Sequence, residues 1–298
     1  MRRLRGAVNK YMDIAKLLNG ADVANALNSK IINEVEALKT VGVSPTLAIL
    51  RVGEKPEDIS YEKSVMKRCA TTGVGVKSVA LRADAAQEEL KQIIYDLNCD
   101  GNVHGVLIFR PLPKSLDESA ACAALDTAKD VDGITKESLA GVFTGSGKGF
   151  APCTAQACVE ILDHYKIGCE GKRTAVIGRS LVVGKPVAVM LIDKNATVTV
   201  CHTRTPDMPA ITRDADIIIS AVGKPEFLTK DYFSPGQIVI DVGINWSEEK
   251  SKLCGDVRFE DAARVVAAIT PVPGGVGTVT TSVLVMHVIN AAKIGAFA

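Results

Sequence analysis

The sequence predicts an α/β protein of two domains with a cleft between them, and three observations carry that prediction. Short apolar runs alternate with stretches of helical periodicity along nearly all of the 298 residues. A glycine-bearing turn, Val176-Ile-Gly-Arg-Ser-Leu-Val-Val-Gly-Lys-Pro186, sits where a strand gives way to a helix. A second run, Ile269-Thr-Pro-Val-Pro-Gly-Gly-Val-Gly-Thr-Val-Thr280, packs prolines and glycines into a stretch that neither helix nor strand favours. It describes a rigid turn with exposed backbone N–H groups, suited to a flat or anionic ligand.

The elements follow in order. Residues 21–40 place Val23, Leu27, Ile31, Val35 and Leu38 at three- and four-residue steps, an amphipathic helix. Residues 46–52 form an apolar strand and 61–72 a helix stopped by Gly73. Residues 74–81, 86–97 and 103–109 read as strand, helix and strand, and helices between apolar strands imply a buried parallel sheet. From 127 to 152 the periodicity lapses into Gly-, Thr- and Ser-rich sequence, and a domain boundary is placed near Pro152. Beyond it come helix 154–165, strand 173–177, the glycine turn, helix 184–194 and strand 197–201. Strands 216–222, 237–242 and 265–269 complete a Rossmann-type pattern. The last helix, 280–293, is expected to return to the first domain. Residues 1–11, basic but with no apolar stretch behind them, read as a disordered extension or as a start assigned upstream of Met12.

Composition narrows the function classes. A formal charge of +1 gives no electrostatic case for nucleic acid or an anionic membrane as partner. Eight cysteines form no Cys-x-x-Cys pair and fall mostly in apolar segments, as reduced thiols of a cytoplasmic protein do. The four histidines show no metal-ligand spacing, so no metal is expected. With no run of about 18 consecutive apolar residues, no membrane span is expected either.

The glycine turn offers a phosphate site. Gly178 and Gly184 stand six apart, near the spacing of the outer glycines of the dinucleotide fingerprint, although Ser180 holds the place of the middle one. A helix beginning there presents free N–H groups and the positive end of its dipole. About twenty residues past the first glycine, NAD-binding folds place an acid for the ribose 2′-hydroxyl. Here the strand end reads Val200-Cys-His-Thr-Arg-Thr205, with no carboxylate, while Arg179 and Arg204 supply cations and Thr203 and Thr205 hydroxyls. A 2′-phosphate is favoured over a bare hydroxyl, and NADP over NAD.

From Met12 onward the chain resembles the methylenetetrahydrofolate dehydrogenase/cyclohydrolase family. The resemblance rests on Leu18-Asn-Gly20, Val52-Gly53 with Ser60-Tyr61, Pro111-Leu-Pro113, Lys129-Asp-Val-Asp-Gly133, Pro152-Cys-Thr154 and Gly178-Arg-Ser180. Ala221-Val-Gly-Lys-Pro225, Asp241-Val-Gly-Ile-Asn245 and Thr270-Pro-Val-Pro-Gly-Gly-Val-Gly277 complete the series. It implies a folate/catalytic domain of residues 12–152 with 278–298, and an NADP-binding domain of 153–277. It also implies oxidation of 5,10-methylenetetrahydrofolate to the methenyl form with hydride passing to NADP, then hydration to 10-formyltetrahydrofolate in the same cleft. Family members pair as homodimers through the nucleotide-binding domain, and the strand at 198–201 is the expected interface edge. By the resemblance Tyr61 lies against the pterin and aminobenzoate and Asp132 hydrogen-bonds the pterin edge, with Pro271, Gly274 and Gly275 bordering the same cleft. Gly178, Arg179, Ser180 and Gly184 meet the cofactor phosphates. His202, Thr203, Arg204, Val222, Gly223, Ile244 and Gly277 complete the cofactor set.

Two departures stand out against that pattern. The family's lysine, four residues after the tyrosine, is replaced by Val65, and its glutamine, two before Pro-Leu-Pro, by Phe109. On an ideal helix Lys63 and Lys67 point roughly 160° and 120° away from the tyrosine's face. Losing one member of a buried polar pair costs about 1–3 kcal/mol, whereas apolar replacement of both is nearly neutral. Hydride transfer needs chiefly alignment; hydration needs a positioned base. The expectation is a dehydrogenase with weak or absent cyclohydrolase activity. The alternatives are a bifunctional enzyme using Lys63, Lys67 or Glu62 as base, a non-catalytic folate-binding relic, and a dehydrogenase for another planar acid. Arg110 and Glu62, both unusual for the family, are candidates for a compensating pair.

Overall fold

A computed structural model describes residues 14–297; the expected extension at 1–11 lies outside them. The first half runs β1 (Lys16–Leu17), α1 (Gly20–Thr40), β2 (Thr46–Val52), α2 (Pro56–Thr72), β3 (Gly75–Leu81), α3 (Gln87–Cys99), β4 (Gly105–Ile108), α4 (Glu118–Ala124) and α5 (Lys136–Thr144). The second runs α6 (Cys153–His164), β5 (Arg173–Ile177), α7 (Gly184–Asp193), β6 (Thr197–Cys201), α8 (Met208–Arg213), β7 (Ile217–Ser220) and β8 (Ile238–Asp241). After these come β9 (Asn245–Ser247), β10 (Lys252–Cys254), α9 (Phe259–Ala262), β11 (Ala268–Ile269) and α10 (Val276–Phe297).

Two parallel sheets result. In the first, β2 lies between β3 and β4. Its Leu47, Ala48, Ile49 and Leu50 are fully buried because helices cover both faces. The second sheet has the order β1-β11-β8-β7-β5-β6, all parallel. Strand β5 is followed in sequence by β6 on one side and β7 on the other, so the order reverses at β5. The glycine turn leaves its carboxyl end, where open α/β sheets form their ligand crevice.

The differences from the sequence reading have local causes. Helix α2 begins at Pro56, ahead of its apolar stripe, because proline suits the first helical position and Glu57 and Asp58 face the positive end of the dipole. The interval 127–152 contains α5, too short and polar to show a period. The buried Asp130 carboxylate fixes its start by accepting from the backbone N–H of Ile134 (2.9 Å) and Thr135 (2.8 Å) and from Ser138 Oγ (2.7 Å). The short helices α4, α8 and α9 and the antiparallel β9–β10 hairpin were likewise not foreseen. Strand β1 precedes the proposed boundary yet pairs in the second sheet, Lys16 opposite Ala268 and Leu17 opposite Ile269.

Helix α10 packs against α1, α6 and α2. By length and composition it is apolar enough to cross a membrane, but 67 % of its most apolar window is buried in the protein. Its Val279, Val283, Leu284, Val288 and Ile289 join residues of α1, β2, α6 and β5 in one continuous core that links the two domains. At the head of α10, Gly20 N–H donates to the Gly274 carbonyl at 2.8 Å. A Cβ on Gly20 would stand 2.1 Å from the Gly275 oxygen, so the Leu18-Asn-Gly20 and Pro-Gly-Gly motifs are two halves of one contact.

Candidate active site

A cleft of about 910 Å³ opens between α2, α1, the loop after β8 and the head of α10. Tyr61, Ser64, Arg68 and Thr71 of α2 recur at three- and four-residue steps and form one wall. The opposite wall brings together Pro271, Gly274 and Gly275, expected at the folate, with Gly277 and Ile244, expected at the cofactor. Lys67 also lines the cleft: it lies about 120° round the helix from Tyr61 but only about 40–60° from Thr71 and Ser64, which share the wall. Lys63 is not part of the lining.

Behind Tyr61 the site turns apolar. Its ring leans on Phe109 at 5.6 Å between centroids, tilted by 39°. Val65 is 0 % and Phe109 6 % exposed, and both belong to the core shared with Val131 and Cys153. Although 37 % of Tyr61 remains accessible, burial around its hydroxyl raises the pKa, with Asp132 and Cys153 adding to the effect. Burial pushes the Asp132 carboxyl up to about 6, opposed in part by the Arg110 charge and the Cys153 thiol. His287 beneath them is held down to about 4 by burial, with Nδ1–H donating to the Val131 carbonyl at 2.9 Å. The candidate pair of Arg110 with Glu62 does not form. Arg110 reaches Glu118 at 3.6 Å, while Glu62 accepts from Arg51 Nε at 2.9 Å, so each is paired with a different partner.

The cofactor end is built from backbone. Gly178, at φ 124°, leaves no room for a side chain, since a Cβ would sit 2.3 Å from the Ala221 oxygen. A Cβ on Gly184 would stand 2.2 Å from the Gly178 oxygen, so both glycines are needed to press α7 onto the turn. Ser180 Oγ accepts from Val183 N–H at 3.2 Å. Arg179, Ser180, Thr203 and Arg204 stand exposed around the crevice, and among the described residues neither arginine has a carboxylate in ion-pair range. His202 Nδ1 accepts from Arg204 N–H at 3.1 Å, which sets the turn after β6. The Thr205 hydroxyl, offered as a ligand group by the sequence, instead accepts from His202 N–H at 2.9 Å. These features fit a phosphorylated dinucleotide: a side-chain-free turn at the sheet's switch point, flanked by unpaired cations.

Two family descriptions match the chain. The tetrahydrofolate dehydrogenase/cyclohydrolase catalytic domain covers residues 18–132, and the NAD(P)-binding domain of the same family covers 152–296. The chain belongs to the tetrahydrofolate dehydrogenase/cyclohydrolase family. It is 43 % identical over 281 residues to the bifunctional protein FolD of Alkaliphilus oremlandii, spanning 94 % of this chain and 98 % of that protein. The crystal structure of the bifunctional FolD enzyme from Campylobacter jejuni superposes with a TM-score of 0.91 at 37 % identity, over 94 % of this chain and 99 % of that one. The Trypanosoma brucei enzyme, described in complex with NADP cofactor and inhibitor, gives 0.89 at 34 % identity, over 96 % and 99 %.

Within this family frame, sequence reasoning missed three residues. Arg68 lines the cleft two turns beyond Tyr61. Asp256, fully buried, accepts from the backbone N–H of Val222 (2.6 Å), Gly223 (3.0 Å) and Lys224 (3.1 Å) and from Asn245 Nδ2 (2.9 Å), thereby shaping the cofactor loop. Asp241 accepts from Gly243, Asp256 and Val257 N–H, and burial pushes its carboxyl up to about 7. Its place in Asp241-Val-Gly was the available signal, as Gly255-Asp-Val257 was for Asp256.

Proposed function

We propose that the protein is an NADP-dependent 5,10-methylenetetrahydrofolate dehydrogenase with weak or absent cyclohydrolase activity, acting as a cytoplasmic homodimer. The carrying observation is the apolar floor beneath Tyr61, where Val65 is sealed in the core and Phe109 meets the tyrosine ring. Bound NADP supplies the hydride acceptor. Taking hydride from the methylene carbon leaves the methenyl cation and releases no proton, so the site need only align the partners and exclude water. Tyr61 flanks the pterin and aminobenzoate, Asp132 as carboxylate accepts from the pterin N–H groups, and Pro271 to Gly275 close the other side. Exposed Arg179 and Arg204 fit the 2′-phosphate and diphosphate. Hydration of the methenyl cation releases a proton, and Val65 and Phe109 have no group to accept it. The open edge of β6, with Val200 exposed, supports pairing of two copies there.

A bifunctional enzyme is the second reading, favoured by Lys67 in the cleft lining. The deciding experiment follows the purified protein first with methylenetetrahydrofolate and NADP, then with methenyltetrahydrofolate alone. NADP reduction with no acceleration of methenyl hydrolysis is expected. Comparable rates for both steps defeat the finer reading, and absence of NADP reduction defeats the whole.

A further inference from the structure

The α2 wall carries a cation that hydride transfer does not use. Arg68 stands seven residues beyond Tyr61 on the same helical face, about 10 Å further along the axis. It is half-buried, with Nε donating to Thr281 Oγ1 and a terminal nitrogen to the Thr278 carbonyl, both at the long distance of 3.4 Å. Among the described residues no carboxylate lies within ion-pair range of it. A guanidinium stays protonated, and one drawn out of water with two long neutral contacts is short of acceptors. Lys67 beside it adds a second charge at the mouth of the cleft. The facing wall offers the neutral amides of Asn25 and Asn28. Asp241 is the one acid among the lining residues, and its oxygens are spent on backbone amides at the cofactor end.

We infer that this end of the cleft is an anion subsite, in which Arg68, with Lys67, takes a carboxylate of the substrate's acidic tail. The inference rests on the folate reading. In a tetrahydrofolate the aminobenzoyl group separates the pterin from a glutamate. With the pterin and aminobenzoate along Tyr61, the first tail carboxylate falls near the second turn onward, where Arg68 waits. Its planar fork donates two parallel hydrogen bonds to a carboxylate. The subsite therefore selects folates that carry a free glutamate, or a γ-linked chain of them, over the tailless pteroate.

The test uses steady-state NADP reduction with methylenetetrahydrofolate and with methylenetetrahydropteroate, which lacks the glutamate. The wild-type protein should show a KM at least about tenfold lower for the glutamate-bearing substrate, the factor that about 1.4 kcal/mol represents. That advantage should shrink as ionic strength rises. Arg68→Gln should raise the KM for methylenetetrahydrofolate by a similar factor and leave the KM for the pteroate and for NADP alone. The rate at saturation should change far less, and Arg68→Lys should recover part of the loss. Equal wild-type KM values for the two substrates overturn the subsite even if the glutamine variant does not fold, as does an equal loss on both substrates in that variant. A wild-type protein that reduces NADP with neither substrate fails the folate reading itself, a distinguishable result that takes the subsite with it.

Discussion

Placing lysine at position 65 tests how far the apolar floor governs the chemistry. Val65 is wholly buried among Phe109, Val131 and Cys153, so Val65→Lys puts an ammonium where no acceptor waits. An uncompensated buried charge costs roughly 3–5 kcal/mol. At roughly 2–4 °C per kcal/mol, the melting temperature should fall by about 6–20 °C. Phe109→Gln supplies an amide beside it, and neighbouring changes of this kind couple by about 0.5–3 kcal/mol. The double variant should therefore be more stable than the two single losses add up to. A positioned base contributes roughly 10²–10⁴-fold to proton transfer. The wild-type protein should hydrolyse methenyltetrahydrofolate barely faster than buffer, and the double variant should gain within that range. The assay is the decay of methenyltetrahydrofolate absorbance, read beside NADP reduction with the methylene substrate. A wild-type hydrolysis rate equal to its oxidation rate would refute the reasoning and direct attention to Lys67, the one candidate lysine in the cleft lining.

Arg179→Ala should weaken NADP at least about tenfold, or by about 1.4 kcal/mol, with little change for NAD; equal kcat/KM for both cofactors in the wild-type protein contradicts the assignment. Because burial raises Asp132 to about 6, its carboxylate is lost as pH falls through that value, so kcat/KM for the folate should drop below about pH 6 and the profile should flatten in Asp132→Asn. The same raised pKa means that the folded state binds the proton more tightly than the unfolded chain, so this group's stabilisation is lost as pH rises from the usual 3.8 to about 6. Thermal melts of Asp132→Asn should lack that component. Gly20→Ala drives a Cβ against the Gly275 backbone oxygen at 2.1 Å. It should cost about 1–3 kcal/mol or more in denaturant unfolding, and a neutral result removes the contact from the account. Sedimentation at micromolar concentration should show a dimer, and a 31.5 kDa species contradicts it.

Legibility in the sequence followed how local each determinant was. Strands β2, β5 and β6 match their expected limits because each is rich in β-branched or apolar residues and bounded by turn residues. The glycine turn and the Pro-Gly-Gly run were readable because backbone conformation is written in the residues that adopt it. Arg68 was silent because its role depends on Thr281, 213 positions away. Asp256 was silent for a like reason, with backbone partners 32 to 34 positions upstream. Lys67 was not expected in the cleft lining because its direction was measured from Tyr61 alone, whereas the wall extends round to Ser64 and Thr71. Helix α5 escaped notice because a buried carboxylate, rather than an apolar stripe, fixes where it begins.

The contact between Gly20 and the Gly274–Gly275 turn joins segments made far apart in time. Some 250 residues separate them, and at about 5–20 residues per second a ribosome takes roughly 13–50 s to cover that interval. Throughout it, the stripe of Val23, Leu27, Ile31, Val35 and Leu38 lacks the helix that finally covers it. A nascent or truncated chain thus presents a greasy surface to chaperones and proteases. The wall that closes the cleft is made in that same late segment, some 250 residues after the glycine it meets. A chain stopped short of residue 271 lacks this wall, so the cleft and the α1 stripe stay open together.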